Sequence, residues 1–152
     1  MINWLRDLSF EAQVGIVAGL AVLLVAGFLT FLMYKKIPRK FNQKKYQEKW
    51  QQLQKLCKSN ETWAEALQQA DKLLDEALRQ RRFKGKKMGE RIVSAQKKLS
   101  DNDAVWFAHN LAKKTIEQPD KKLQEADIKK ALVGFRQALR DLGALPSEQQ
   151  KK

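Results

Sequence analysis

One uncharged apolar run precedes a series of helical apolar stripes along this chain. The run covers residues 14–34, which is 21 residues without a single charge. At about 1.5 Å per residue, a helix of that length spans roughly 31 Å, close to the ~30 Å hydrocarbon core of a bilayer. A helix satisfies its own backbone hydrogen bonds inside lipid, so the run predicts one transmembrane helix.

Two other interpretations of the run are a buried core helix and a cleaved signal peptide. The rest of the chain is polar and offers no comparable apolar segment to cover a core helix. A signal peptide is disfavoured because Arg6 is balanced by Asp7 and Glu11, so the preceding segment is not basic. The run also ends in Met-Tyr-Lys at 33–35 instead of small residues.

Charges on the two sides of the run predict its orientation in a cell membrane. Residues 1–11 carry a net side-chain charge of −1, whereas residues 35–58 carry nine Lys/Arg against one acid, a net charge of +8. By the positive-inside rule, residues 1–13 are expected outside and the long C-terminal part in the cytoplasm. The cations that we expect at the anionic headgroups of the inner leaflet are Lys35, Lys36, Arg39, Lys40, Lys44 and Lys45.

Small residues recur on one side of the predicted membrane helix. Gly15 and Gly19 form a small-xxx-small pair, which permits two membrane helices to approach closely. A homodimer through this helix is one interpretation. The other is that glycine is simply frequent in membrane helices.

The remaining chain repeats apolar residues with a helical period, and no stretch alternates with period two for long enough to be a strand. The pattern predicts an all-α fold, with one N-terminal transmembrane helix followed by a cytosolic bundle of about five helices. We expect a basic juxtamembrane helix within 35–58, a bundle domain over 59–145 and a disordered tail over 146–152. The predicted helices cover about 42–57, 62–84, 87–99, 102–118 and 125–142.

Several residues mark the predicted helix ends. Thr62 and Glu65 have the spacing of a capping box, and Asp101 stands where an N-cap is expected. Gly85 is expected to end the second soluble helix. Gly143 is expected to end the last one in a left-handed conformation, with Leu145 making the accompanying apolar contact.

The net charge of +13 indicates polyanionic neighbours. Its densest part is RQRRFKGKK at 79–87, with six cations in nine residues. We expect this segment to face away from the membrane and to bind a protein partner, with nucleic acid ranked second because Phe83 is its only aromatic residue. The expected partner-binding residues are Arg79, Arg81, Arg82, Phe83, Lys84, Lys86 and Lys87.

Catalytic and cofactor signals are weak. The only histidine, His109, is interpreted as structural, and the only cysteine, Cys57, as a small apolar residue on a helix face. No Cys/His spacing fits zinc and no glycine-rich loop fits a phosphate. We therefore expect no cofactor, no metal and no enzymatic activity.

The segments WAEALQQADKLLDEAL, FKGKKMGER and the run from Asp101 to Gly143 resemble uncharacterised bacterial proteins with a HEPN-like helical domain, some of them membrane-anchored. In HEPN nucleases an Arg, a polar residue and a His act on RNA. The matching positions here are Ala112, Lys113 and Glu117, so neither catalytic residue type is present. The resemblance implies a helical fold without nuclease activity. The predicted function is a membrane-anchored adaptor or scaffold that binds a protein. The alternative is an RNA- or nucleotide-binding protein.

Overall fold

The computed structural model of the chain describes residues 9–36 and 40–147. These residues fall into two compact units, one apolar helix and one helical bundle. All regular structure within the described ranges is helical, which confirms the predicted all-α class. Most of the short N-terminal segment, Arg39 and the last five residues of the chain lie outside the described residues.

The apolar helix α1 covers Phe10–Lys36. Its segment Val14–Met33 is long and apolar enough to cross a membrane, and none of that segment is buried. Large side chains all round it are open, such as Val17 and Leu24 at 67% and 75% exposed. By length and composition, such a helix is typical of a membrane span or of a signal sequence.

The described residues of the second unit form five α-helices, as predicted, and a short 3-10 turn at Asn60–Thr62. They are α2 Gln43–Leu56, α3 Trp63–Gln80, α4 Met88–Ala95, α5 Asn102–Glu117 and α6 Glu125–Asp141. Helix α3 contacts all four others, and its apolar stripe is fully covered, with Leu67, Leu74 and Leu78 at 0% exposure. The stripe that dominates the sequence pattern is therefore the centre of the core.

Two predicted helix ends are confirmed. The Asp101 carboxylate accepts a hydrogen bond from Ala104 N at 2.8 Å, which caps α5. Gly143 has φ +79°, and the following amide, Ala144 N, donates to Leu139 O at 2.8 Å. This is the Schellman arrangement that a left-handed residue permits, and the nearby Leu145 is buried.

One predicted side-chain cap and two predicted helix ends are wrong. The Thr62 hydroxyl does not cap α3, because it donates backwards to the carbonyls of Leu56 and Ser59 and so holds the preceding turn. Helix α3 ends at Gln80, five residues before Gly85, which was predicted to end it. Arg82 takes the left-handed position, with φ 62°. Helix α4 stops at Ala95 instead of 99, since the next amides bond three residues back in a tight turn.

The contacts of residues 40–43 define one end of the bundle, called here the entry end. Gln80 Nε2 donates to Lys40 O at 3.1 Å, and Gln43 Nε2 donates to Gly143 O at 3.2 Å. The C-termini of α3 and α6 therefore lie beside the first residues of the bundle. The opposite end, called the far end, holds the α2–α3 and α5–α6 connections, whose residues line one shared cleft.

Candidate interaction surfaces

The segment that connects α3 to α4, Arg81–Lys87, is called here the basic turn. Its backbone is fixed along its length by hydrogen bonds. Phe83 N donates to Leu78 O at 3.1 Å, Lys84 N to Ser94 Oγ at 3.2 Å and Lys86 N to Glu90 Oε2 at 2.7 Å. The turn is therefore a rigid support for the side chains that it carries.

Gly85 is required within this turn for two reasons. Its φ is +148°, a conformation that side chains rarely adopt. A Cβ atom at this position would also lie 2.7 Å from Glu90 Cβ and 2.8 Å from Arg91 N. The glycine was predicted to end α3, but its role is to let the turn pack closely against the start of α4.

A buried ion pair supports the turn from below. The Arg91 guanidinium donates from Nε to Asp75 Oδ1 and from Nη1 to Gly85 O, both at 2.7 Å. Only 6% of the Arg91 side chain is exposed, against 65% for Arg79, which contacts the other oxygen of the same carboxylate at 2.7 Å. Arg91 is thus a structural residue, and the sequence interpretation did not separate it from the surrounding surface cations.

The predicted partner-binding residues divide into two groups. Arg81 works inside the fold, since its Nε donates to Leu142 O at 2.8 Å and its guanidinium lies 4.7 Å from the Phe41 ring centroid. Phe83 is half-buried against the core, so it presents no open ring for stacking. The remaining cations of the turn are exposed, namely Arg82, Lys84, Lys86 and Lys87.

The predicted membrane-surface residues are distributed over both units. Lys35 and Lys36 end α1, Lys40 precedes α2, and Lys44 and Lys45 lie in its first turn. Lys40, Lys44 and Lys45 are exposed. In α1, a Cβ atom at Gly15 or Gly19 would meet nothing within 4 Å, so that face of the helix is open.

A second surface feature was not predicted, an open groove between α2 and α6 called here the α2–α6 groove. It has a volume of about 410 Å³. Its rim carries Lys129 and Arg136, and Val133 beside it is 67% exposed. The residues that line it are Trp50, Leu53, Gln54, Cys57, Lys129, Leu132, Val133 and Arg136.

Two details characterise this groove chemically. The Trp50 indole Nε1 is buried and has no hydrogen-bond partner within the described residues. Burial raises the pKa of the Cys57 thiol, whose Sγ donates to Leu53 O at 3.3 Å. The thiol is therefore protonated at neutral pH and is a poor nucleophile, so the groove suits binding better than covalent chemistry.

His109 lies in a polar contact between α3 and α5. Its Nδ1 is 2.8 Å from Asp71 Oδ1, and its ring meets Trp106 edge-on with centroids 6.0 Å apart. The pair ties two core helices together, in agreement with the structural interpretation. Within the described ranges, no group of three or more His, Cys, Asp or Glu residues could hold a metal ion.

The positions that match the HEPN motif do not form a site. Ala112 is buried in the core, and Lys113 and Glu117 make a surface ion pair at 3.4 Å.

Comparison with protein-family models, curated proteins and solved structures finds no match to this chain. The functional proposal therefore depends on the physical features of the two units.

Proposed function

We propose that the chain is a membrane-anchored helical adaptor without enzymatic activity. In this proposal α1 spans the cell membrane with its N-terminus outside, and the bundle lies in the cytoplasm. The charge difference across the apolar run supports the orientation. The observation that carries the binding function is the α2–α6 groove, in which the apolar side chains of Leu53, Leu132 and Val133 line one open surface.

The chemistry of the groove defines the kind of partner. An amphipathic helix would place its apolar face on Leu132 and Val133, as helix-in-groove complexes do. Arg136 at the rim makes no ion pair with any described residue. A carboxylate on the partner would complement its positive charge. An oxygen acceptor on the partner could also satisfy the unpaired Trp50 indole, whose burial without a partner costs about 1–3 kcal/mol.

A second copy of this chain is a less suitable occupant. Each copy would bring Arg136 and Lys129 to the same interface, and like charges across an interface are repulsive. The charge of Lys129 is partly compensated by the Glu125 carboxylate, whose Oε1 lies 2.6 Å from Lys129 Nζ. The hydrogen bond from Lys129 lowers the pKa of Glu125 below its ordinary value. Arg136 has no such compensation, and an acidic helix remains the favoured partner.

Site-directed crosslinking tests the proposal in cells. A photoreactive residue at Val133 of the full chain should crosslink to a discrete protein at an acidic amphipathic segment, identified by mass spectrometry. Arg136→Glu should reduce that crosslink by about tenfold or more, since a charge reversal at an interface costs more than 1.4 kcal/mol.

Ile116 provides the matched control. It is an apolar residue on α5 that is 66% exposed, against 67% for Val133. The photoreactive residue at Ile116 should give no discrete product. Equal products from both sites, or a Val133 product that Arg136→Glu leaves unchanged, would exclude the groove as the binding surface.

The second candidate function is RNA or nucleotide binding on a HEPN-like fold. The basic turn favours it by charge, since Lys84, Lys86 and Lys87 are exposed cations. The half-buried position of Phe83 argues against it, because single-strand binding relies on exposed aromatic rings. We rank it below the adaptor.

A further inference from the structure

We infer that the basic turn binds the anionic lipid headgroups of the membrane in which α1 is inserted. The inference rests on the proposed function, because it requires α1 to span that membrane. It replaces the expectation that the turn faces away from the membrane. That expectation considered the basic cluster at 35–45 sufficient to hold the chain at the inner leaflet, and it left open where the end of α3 lies.

The contacts of the bundle place the end of α3 beside the first residues of the bundle. Helix α2 leads away from the entry end and α3 returns to it, so the turn that follows α3 lies beside residues 40–43. Three observations fix this return, since Gln80 bonds Lys40 O, the Tyr46 hydroxyl donates to Gln80 Oε1 at 3.2 Å, and Arg81 lies over Phe41. Only residues 37–39 separate Lys40 from the end of α1, so the chain between them is at most about 14 Å long.

The charge of the bundle is concentrated at the same end. The entry-end segments 40–45, 79–90, 96–103 and 139–147 contain twelve Lys/Arg against four Asp/Glu, a net charge of +8. The far-end segments 57–65 and 113–125 contain five of each and are neutral. A bundle with this polarity is attracted by its entry end to an anionic surface, at about 1 kcal/mol per cation near the headgroups.

The shape of the turn also suits a lipid surface. Lys84, Lys86 and Lys87 form no ion pair with a described residue, so their charges are not neutralised within the fold. The only aromatic ring of the turn, Phe83, is half-buried against the core. Point charges on a rigid support fit mobile phosphates, which need no shaped pocket.

Lysine acetylation of the full chain in lipid nanodiscs tests the inference. Discs of phosphatidylcholine alone are compared with discs that also contain phosphatidylglycerol, and mass spectrometry follows each lysine. Acetylation of Lys84, Lys86 and Lys87 should slow by roughly threefold or more in the anionic discs, and high salt should remove the effect. The internal controls are Lys114, Lys121 and Lys122, exposed lysines toward the far end, whose rates should not change.

A pair of matched variants extends the test. Lys97 and Lys98 belong to the entry-end segment 96–103, so their acetylation should also slow in anionic discs. Replacing Lys84, Lys86 and Lys87 by Glu should weaken that protection. The same replacement of Lys114, Lys121 and Lys122 changes the total charge equally and should leave that protection intact.

The outcomes separate the two proposals. A chain that alkali extracts from liposomes is not inserted, which overturns the proposed function and this inference with it. An inserted chain whose basic-turn lysines react equally in both kinds of disc overturns this inference alone, because the reaction rate then does not depend on the charge of the headgroups.

Discussion

At the scale of single residues, the two arginines that contact Asp75 differ in burial and therefore in their contribution to stability. Arg79 and Arg91 both contact its carboxylate, yet one guanidinium is in solvent and the other is in the fold. An exposed ion pair is worth about 0.2–1 kcal/mol, whereas removing one partner of a buried pair costs about 3–5 kcal/mol. The buried pair also holds Gly85 O, so it fixes the basic turn.

We therefore expect Arg91→Met to lower the free energy of unfolding of residues 38–152 by about 3–5 kcal/mol, because Asp75 and Gly85 O lose their buried donors. Arg79→Met, with the same replacement against the same carboxylate, should cost no more than about 1 kcal/mol. Urea unfolding followed by circular dichroism measures both. Equal losses in the two variants would contradict the assigned role of Arg91.

The role of Arg91 had a signal in the sequence. It is three residues after Met88 and four before Ala95, so it belongs to the apolar stripe of α4. An arginine on an apolar stripe is expected to be buried, and a buried guanidinium needs an acidic partner. The sequence alone does not indicate which Asp or Glu of α3 is that partner. The density of neighbouring cations concealed the signal.

At the scale of helices, the close approach of α5 and α6 depends on Gly134. A Cβ atom there would lie 2.8 Å from Ala104 O and 3.0 Å from its carbonyl carbon. Both are backbone atoms, which cannot move aside without displacing the helix. The periodicity of α6 puts Ala131 and Phe135 on its apolar stripe, and both are buried. The same periodicity does not show that Gly134 lies against another backbone.

Gly134→Ala is expected to destabilise the bundle by about 1–3 kcal/mol, although alanine is the better helix former by about 1 kcal/mol. Gly89→Ala is the matched control within α4, since its Cβ would meet only the Trp106 ring, at 3.3 Å. That change should be near neutral or stabilising. Thermal unfolding of both variants decides the matter, and a Gly134→Ala bundle as stable as the unchanged one would exclude close packing at this crossing.

Helix existence was predictable here, and helix ends were predictable only in part. The stripe of α3 is so regular that its core position follows from spacing alone. The capping of its N-terminus depends on competing hydrogen bonds. The Thr62 hydroxyl can bond either the backbone amides of α3 or the two nearby carbonyls of Leu56 and Ser59. Arg82 in a left-handed conformation has no propensity signal at all, since glycine is the usual residue there.

At the scale of the whole molecule, the candidate surfaces arise from how the helices meet. The helical spacing of Trp50, Leu53 and Cys57 places them on one face of α2, and the same spacing places Leu132 on the apolar stripe of α6. It could not show that these faces leave a groove uncovered, because that depends on the separation of two helices that are remote in the sequence. The total charge was known from composition, but its concentration at the entry end required the antiparallel return of α3.

The orientation of the chain in the membrane gives the prediction at this scale. A reporter that is active only in the cytoplasm, fused after Lys152, should be active, and one that is active only outside should not. The reason is the charge difference, −1 over residues 1–11 against +8 over 35–58, because the flank richer in Lys and Arg stays in the cytoplasm.

Replacing Lys35, Lys36, Arg39, Lys40, Lys44 and Lys45 by Gln removes six of those cations and should allow a fraction of the chains to insert the other way. The same six replacements at Lys113, Lys114, Lys121, Lys122, Lys129 and Lys130 remove equal charge far along the chain and should leave the orientation unchanged, since the rule acts within about 15–20 residues of the span. An active outside reporter on the unchanged chain would show that the N-terminus is cytoplasmic, and the headgroups facing the basic turn would then belong to the outer leaflet.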